Sequence, residues 1–310
     1  VIWDENDAAN DEVLGLLAEV SAVAPPLNLA DRLVANATAL RPAGRAIESL
    51  GGGERASAAE AFVKMVDDFK TVLTQAAGAA TVEPYGWSVT QLVAHLTEVD
   101  RYFGRQLGLW DHEIDDALED DHLAMTQSAV SAAVRADFTT TVTEWLAVSS
   151  ALCDHVASLD ADQLRQRIKF HMLYTRVSTA LAVRVFEVWT HMEDLCRTLR
   201  RQPPPIDAQR LHLMTTTAVG AIPLGMLLRK IEAGQHTARL VLTGPGGGTW
   251  NQPLQLGDEA DEPSVTIVAD ALEFCRLAAQ RIAPTDLAAG VDGSMDLAIA
   301  VLRGASVFAA

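Results

Sequence analysis

Residues 86–103 read GWSVTQLVAHLTEVDRYF. Ser88-Val89-Thr90-Gln91 is a capping-box pattern, in which a hydroxyl and an amide side chain satisfy two orphan N–H groups at a helix start. Val89, Leu92, Val93, Leu96, Val99 and Phe103 then recur at helical spacing. His95 lies three residues after Leu92 and four before Val99, so its ring points with the apolar stripe into the interior of a helical bundle.

Working outward, Ser57-Ala58-Ala59-Glu60 is another capping box, and the helix behind it is expected to run to about Gln75. Pro84, Gly86 and Trp87 punctuate the chain. The acidic stretch Asp111 to Asp121 reads as a loop or frayed turn. Helices are expected over 122–157 and 176–200, with 159–170 only partly ordered. Upstream, short helices are expected around 10–22 and 28–38, with a linker over 39–56.

Gln202-Pro203-Pro204-Pro205 marks a boundary, beyond which the pattern changes. Residues 211–233 read as helix. Residues 238–242 and 249–256 flank Gly244-Pro245-Gly246-Gly247-Gly248 as a hairpin, and 264–268 reads as a third strand. Asp270 caps a helix through Gln280, and 294–302 forms a last helix. The glycine run lacks the GK[ST] of a phosphate loop and reads as a turn. The expected fold class is α+β, in three parts: an N-terminal extension and linker over 1–56, a helical bundle over 57–201 and a small α/β domain over 206–310.

Composition narrows the function. The formal net charge of −17 argues against nucleic acid, which needs clustered Lys and Arg, and against docking on anionic lipid. No apolar run is read as long and uncharged enough to span a membrane. The opening VIWDENDAANDEV has neither the basic start nor the apolar stretch of a secretory signal, and its first residue is Val, so the true start may be missing or processed. Cys153, Cys196 and Cys275 are far apart, odd in number and without a CxxC pair, which suits a reducing cytoplasm.

Glu187 and His191 stand four apart on one expected helix, so both project from one face. With His95 from a facing helix they form a common ligand set for a catalytic metal that keeps one open position. The same spacing also suits a buried hydrogen-bonded histidine and a simple i,i+4 contact. His112, His122, His155, His171, His212 and His236 form no ligand spacing.

The segment 86–96, GWSVTQLVAHL, resembles the first metal-ligand motif of the DinB-like superfamily, and 184–195, RVFEVWTHMEDL, resembles the second. Together they most resemble the mycothiol-dependent maleylpyruvate isomerase family. Residues 247–250, GGTW, and 271–281, ALEFCRLAAQR, resemble that family's C-terminal domain, an α/β unit similar to sterol carrier proteins. The resemblance covers roughly residues 58–310. It implies a DinB-like four-helix bundle holding zinc, or another divalent metal, through His95, Glu187 and His191. It also implies mycothiol as thiol cosubstrate and a small electrophile as substrate. In such an isomerase a thiolate adds to a cis double bond, permits rotation and leaves; in a related S-transferase the adduct is the product.

Supporting roles follow from position. Asp194, three after His191, could accept that ring's second N–H, and Glu98 stands in the same relation to His95. Arg281 matches a family position expected near the cleft, where it would clamp a carboxylate as a catalytic residue; Arg276 and Arg239 are weaker candidates. The expected protein is a cytoplasmic enzyme, monomer or homodimer, without nucleic-acid or membrane partners. Two alternatives stay open. Residues 17–33 weakly resemble the linker after a zinc-binding anti-sigma domain, which suggests a regulatory protein, and an open zinc site could also serve a hydrolase.

Overall fold

The computed structural model describes residues 57–111, 122–171 and 173–308. The helices expected over 10–22 and 28–38, the linker over 39–56 and nearly all of the acidic stretch lie outside these residues.

Capping works where the sequence places it. Helix α1, Ala58–Leu73, starts on the Ser57–Glu60 box, and α2, Val89–Gln106, starts on the Ser88–Gln91 box, with both reciprocal bonds present in each. Just before α2, strands β1 (Thr81–Val82) and β2 (Trp87–Ser88) pair antiparallel, a small hairpin that the Pro84–Gly86 punctuation did not announce. The helix expected over 122–157 is two helices. Helix α3 is His122–Ala132, and a 3-10 turn follows at Ala133–Arg135. Helix α4 is Phe138–Ser158, because the Asp137 side chain accepts the Thr140 N–H and starts a new helix. Residues 159–171 and 173–176 take largely regular structure. They form the short helix α5, Ala161–Arg165, and the hairpin β3 (Arg167–Phe170) and β4 (Leu173–Arg176).

Helix α6, Val177–Thr198, is the axis of the structure. Residues 188–196 are all buried, including four polar ones. A helix buried on all sides lies at the centre of a core, and its polar side chains there must find partners. It packs against α1, while α2 packs against α3 and α4, and α1 also meets α4. Phe69 of α1 meets Trp145 of α4 edge-on at 5.2 Å.

Past the prolines, α7 spans Ala208–Leu228. Strands β5 (Thr237–Thr243), β6 (Gly248–Pro253), β7 (Val265–Asp270) and β8 (Ala289–Gly293) form one sheet in the order β6-β5-β7-β8. The β5–β7 pair is parallel and the two flanking pairs antiparallel. Strand β8 was not expected from the sequence; it carries two glycines and only half-covered or exposed side chains, so it lacks an apolar alternation. Helices α8 (Ala271–Ala278) and α9 (Met295–Ala305) complete the structure, and α7 packs on both. The mixed helix-and-sheet class expected from the sequence is therefore observed.

One expectation is corrected. Helix α7 is long and apolar enough to cross a membrane by length and composition, with a mean hydropathy of 1.5 over 18 residues. Half of that window is buried against neighbouring elements, as in the core helix of a globular protein.

Candidate metal centre and its cavity

Three imidazoles converge on one carboxylate oxygen. Oε1 of Glu187, on α6, lies 3.1 Å from His122 Nε2, 3.4 Å from His95 Nε2 and 4.0 Å from His191 Nε2. The ligand atoms of His95, His122 and Glu187 all lie within 4.8 Å of one another. His95 and His191 are buried, and their rings stand 5.3 Å apart between centroids. In the sequence His122 has no ligand spacing to the other histidines. The structure corrects this, because α3 begins on His122 and folds back over α2.

Hydrogen bonding fixes which ring nitrogens face the centre. The Thr126 hydroxyl donates back to carbonyls of its own helix, at Leu123 and His122. It is thus left as an acceptor for His95 Nδ1–H at 3.0 Å, and the bare Nε2 of His95 faces Glu187. His122 Nδ1 meets His171 Nε2 at 3.2 Å. Oε1 of Glu187 is buried and has no aligned hydrogen-bond donor, and Nδ1 of His191 has no partner. A lone pair facing a carboxylate oxygen is repulsive unless a cation lies between them. A tetrahedral zinc with bonds of about 2.0–2.1 Å sets its ligand atoms about 3.3 Å apart. The spacings of His95 and His122 to Oε1, the bare Nε2 and the orphaned Oε1 fit a divalent metal; His191, at 4.0 Å from that oxygen, lies outside the group of mutually close ligand atoms.

Behind the centre runs a chain of charges. Arg184, fully buried, donates to Oε2 of Glu187 and, at 2.6 Å, to Oδ1 of Asp100; Trp145 Nε1 donates to Oδ2 of Asp100 at 3.1 Å. Burial alone would raise the Glu187 pKa, but the Arg184 guanidinium holds it well below the usual carboxylate range. Burial pushes the pKa of His95 down and that of His191 well down, so both rings are neutral near pH 7, the form that binds metal.

Over the centre lies a cavity of about 280 Å³. Tyr85 and Trp87, from the β1–β2 hairpin, stack at 4.9 Å and cover His191 and His95 respectively. Phe170 and His171 form part of the wall, and Val307 and Phe308 close it from the C-terminal part of the chain. Phe308 is held there by stacking on Phe186 of α6 at 4.7 Å.

The supporting residues are arranged differently from expectation. Asp194 does not reach His191; it takes Arg281 on both oxygens and Arg197 at 3.0 Å. Glu98 bonds Arg101, and the second nitrogen of His95 goes to Thr126 instead. Residues three apart are neighbours on a helix, but each carboxylate also has an arginine three residues on, Arg197 for Asp194 and Arg101 for Glu98, and a full cation wins over a neutral ring N–H. Arg281 is buried beside the site, held by Asp194, by the Ala279 carbonyl at 2.7 Å and by the Tyr85 hydroxyl, and it does not line the cavity. Arg276 pairs with Glu193 at 2.7 Å, and Arg239 donates to Asn251 at 3.0 Å across β5 and β6.

The model of the mycothiol maleylpyruvate isomerase N-terminal domain matches residues 59–196. The matched stretch is a little under half of the chain and carries His95, His122, Glu187 and His191 together. Two solved structures resemble the wider chain. The mycothiol-dependent maleylpyruvate isomerase matches at 14% identity and a TM-score of 0.52, over 75% of this chain and 91% of that one. A histidine-to-alanine mutant of a mycothiol-dependent maleylpyruvate isomerase matches at 13% identity with the same TM-score and the same coverage. At such identities the likeness is one of fold, and it extends beyond the N-terminal domain. No curated protein matches the sequence.

Proposed function

We propose that this chain is a metal- and thiol-dependent enzyme that isomerises a small electrophile or joins it to mycothiol. The observation that carries this reading is the convergence of His95, His122 and His191 on Oε1 of Glu187, beneath a cavity of substrate size. The N-terminal domain match and the names of the two similar structures support mycothiol as the thiol. We read the helical part as a DinB-like four-helix bundle over 57–201 and residues 206–310 as a sterol-carrier-like domain. The protein is placed in the cytoplasm and assigned small-molecule partners only.

His95, Glu187 and His191 would hold the metal, zinc by its ligand set of imidazole and carboxylate, with His122 at the same oxygen. A metal there supplies the acidity that keeps a bound thiol as thiolate near neutral pH. The chain has no thiolate of its own to offer. Burial pushes Cys153 up to about 12 and Cys275 well above the usual thiol value, and Cys196 is also raised. None of the three lines the cavity, so we assign the nucleophile to a cosubstrate.

The remaining residues position and enclose. Thr126 and His171 orient the rings of His95 and His122, and Arg184 fixes one oxygen of Glu187 so that the other faces the imidazoles. Trp87 and Tyr85 keep bulk water off the two buried rings. Arg281 is assigned a positioning role through Tyr85 and Asp194. Metal-loaded protein supplied with mycothiol and a panel of charged and neutral cis-alkenes is expected to give isomerised product or thiol adduct. No turnover across the panel would overturn the reading.

A further inference from the structure

We propose that the cavity over the imidazole cluster selects uncharged, apolar electrophiles and discriminates against dicarboxylates. The chemistry rests on the thiol-addition reading above; the selectivity rests on the cavity wall. Tyr85, Trp87, Leu123, Phe170, Val183 and Phe308 stand in that wall beside four histidines, and among the described residues no lysine or arginine lines it. Moving a carboxylate out of water is costly unless cationic or multiple N–H donors receive it, and a dianion needs two such receptions.

Two guanidiniums border the site, and both are already committed. Arg184 is shared between Asp100 and Glu187. Arg281 meets both oxygens of Asp194, the Ala279 carbonyl and the Tyr85 hydroxyl, and it stands behind Tyr85 instead of in the cavity. A bound dication does not change the balance. Its charge and that of Arg184 are matched by Glu187, Asp100 and one thiolate, so no positive charge is left for substrate carboxylates.

In the reaction the thiolate adds to one alkene carbon and the π pair moves to the carbon beside the carbonyl. The single bond turns, and loss of the same thiolate restores the alkene, so no further reactant is consumed.

Binding tests the selectivity without turnover. Dimethyl succinate and succinate differ in charge and share a carbon skeleton. Titrated calorimetrically into the metal-loaded full chain, the diester is expected to bind about tenfold or more tightly than the dianion. A Leu123→Arg variant, which places a cation on a partly exposed wall position, is expected to gain succinate affinity by about tenfold. Succinate binding as tight as the diester, or no binding by either in the millimolar range, overturns the proposal. Turnover is scored separately on dimethyl maleate and maleate with mycothiol, each rate divided by its uncatalysed thiol rate. Diester binding without turnover of either alkene sustains the selectivity and counts against the enzymatic reading.

Discussion

Arg281, two residues past the Ala279 cap of α8, closes a two-oxygen contact with Asp194 on α6, at 2.8 and 2.6 Å, with both side chains almost wholly buried. The pair ties the C-terminal part of the chain to the helix that carries Glu187 and His191. It also holds the Tyr85 hydroxyl, and Tyr85 in turn covers His191.

Breaking that pair from one side leaves an uncompensated buried charge. Arg281→Met is expected to lower stability by about 3 kcal/mol, the low end for a broken buried pair because Arg197 also reaches Asp194. Urea denaturation measures it. The double variant Arg281→Met with Asp194→Leu is expected to recover much of the loss. A double variant as unstable as the sum of the two singles would refute the coupling.

Metal content separates the cluster from an ordinary set of buried histidines. Elemental analysis after dialysis is expected to show about one divalent ion per chain in the parent, and about a tenfold or greater loss of affinity in His95→Ala and His191→Ala. Replacing an outer partner, Thr126→Val, is expected to cost about 10-fold. Equal metal content in all four proteins would remove the basis for the centre.

Asp207 caps α7 and binds Lys64 and Arg210. Partial burial would raise its pKa, but the Arg210 backbone N–H and the two cations outweigh this and lower it to about 2. A depressed folded pKa stabilises above the unfolded value, near 3.9, and the gain is lost as pH falls through about 2. Because the side chain is 38% exposed, solvent screening trims the effect to about 1 kcal/mol. Asp207→Asn is expected to flatten the stability profile between about pH 4 and 2. An unchanged slope would exclude the cap as its source.

Gly225 of α7 lets two helices touch. A Cβ there would stand 1.9 Å from the Gly304 carbonyl oxygen of α9, and backbone cannot turn aside as a side chain can. Gly225→Ala is expected to destabilise by about 2 kcal/mol, the packing cost exceeding the gain in helix propensity. Thermal unfolding checks it; a stabilised variant would show that α7 and α9 can part freely.

Local patterns in the chain determined local structure. Ser57–Glu60, Ser88–Gln91 and Asp270 start helices where their side chains reach the orphan N–H groups, because capping depends on neighbours three residues away or fewer. Helical spacing turns Glu187 and His191 to one side and the stripe around His95 turns it inward, but only the resemblance of the two flanking motifs to a known family joined the three into one expected site. The break at Asp137, the β1–β2 and β3–β4 hairpins and strand β8 were not legible. They are short, and packing against α2 and α6, or against β7, holds them in place more than their own propensity does. Tertiary structure alone decided that His122, opening a helix behind an acidic run, joins the same oxygen. It alone sent Asp194 to Arg281, 87 residues away, and not to His191. Bonds within one turn are set by backbone geometry that every helix shares, whereas contacts between elements depend on where the core closes.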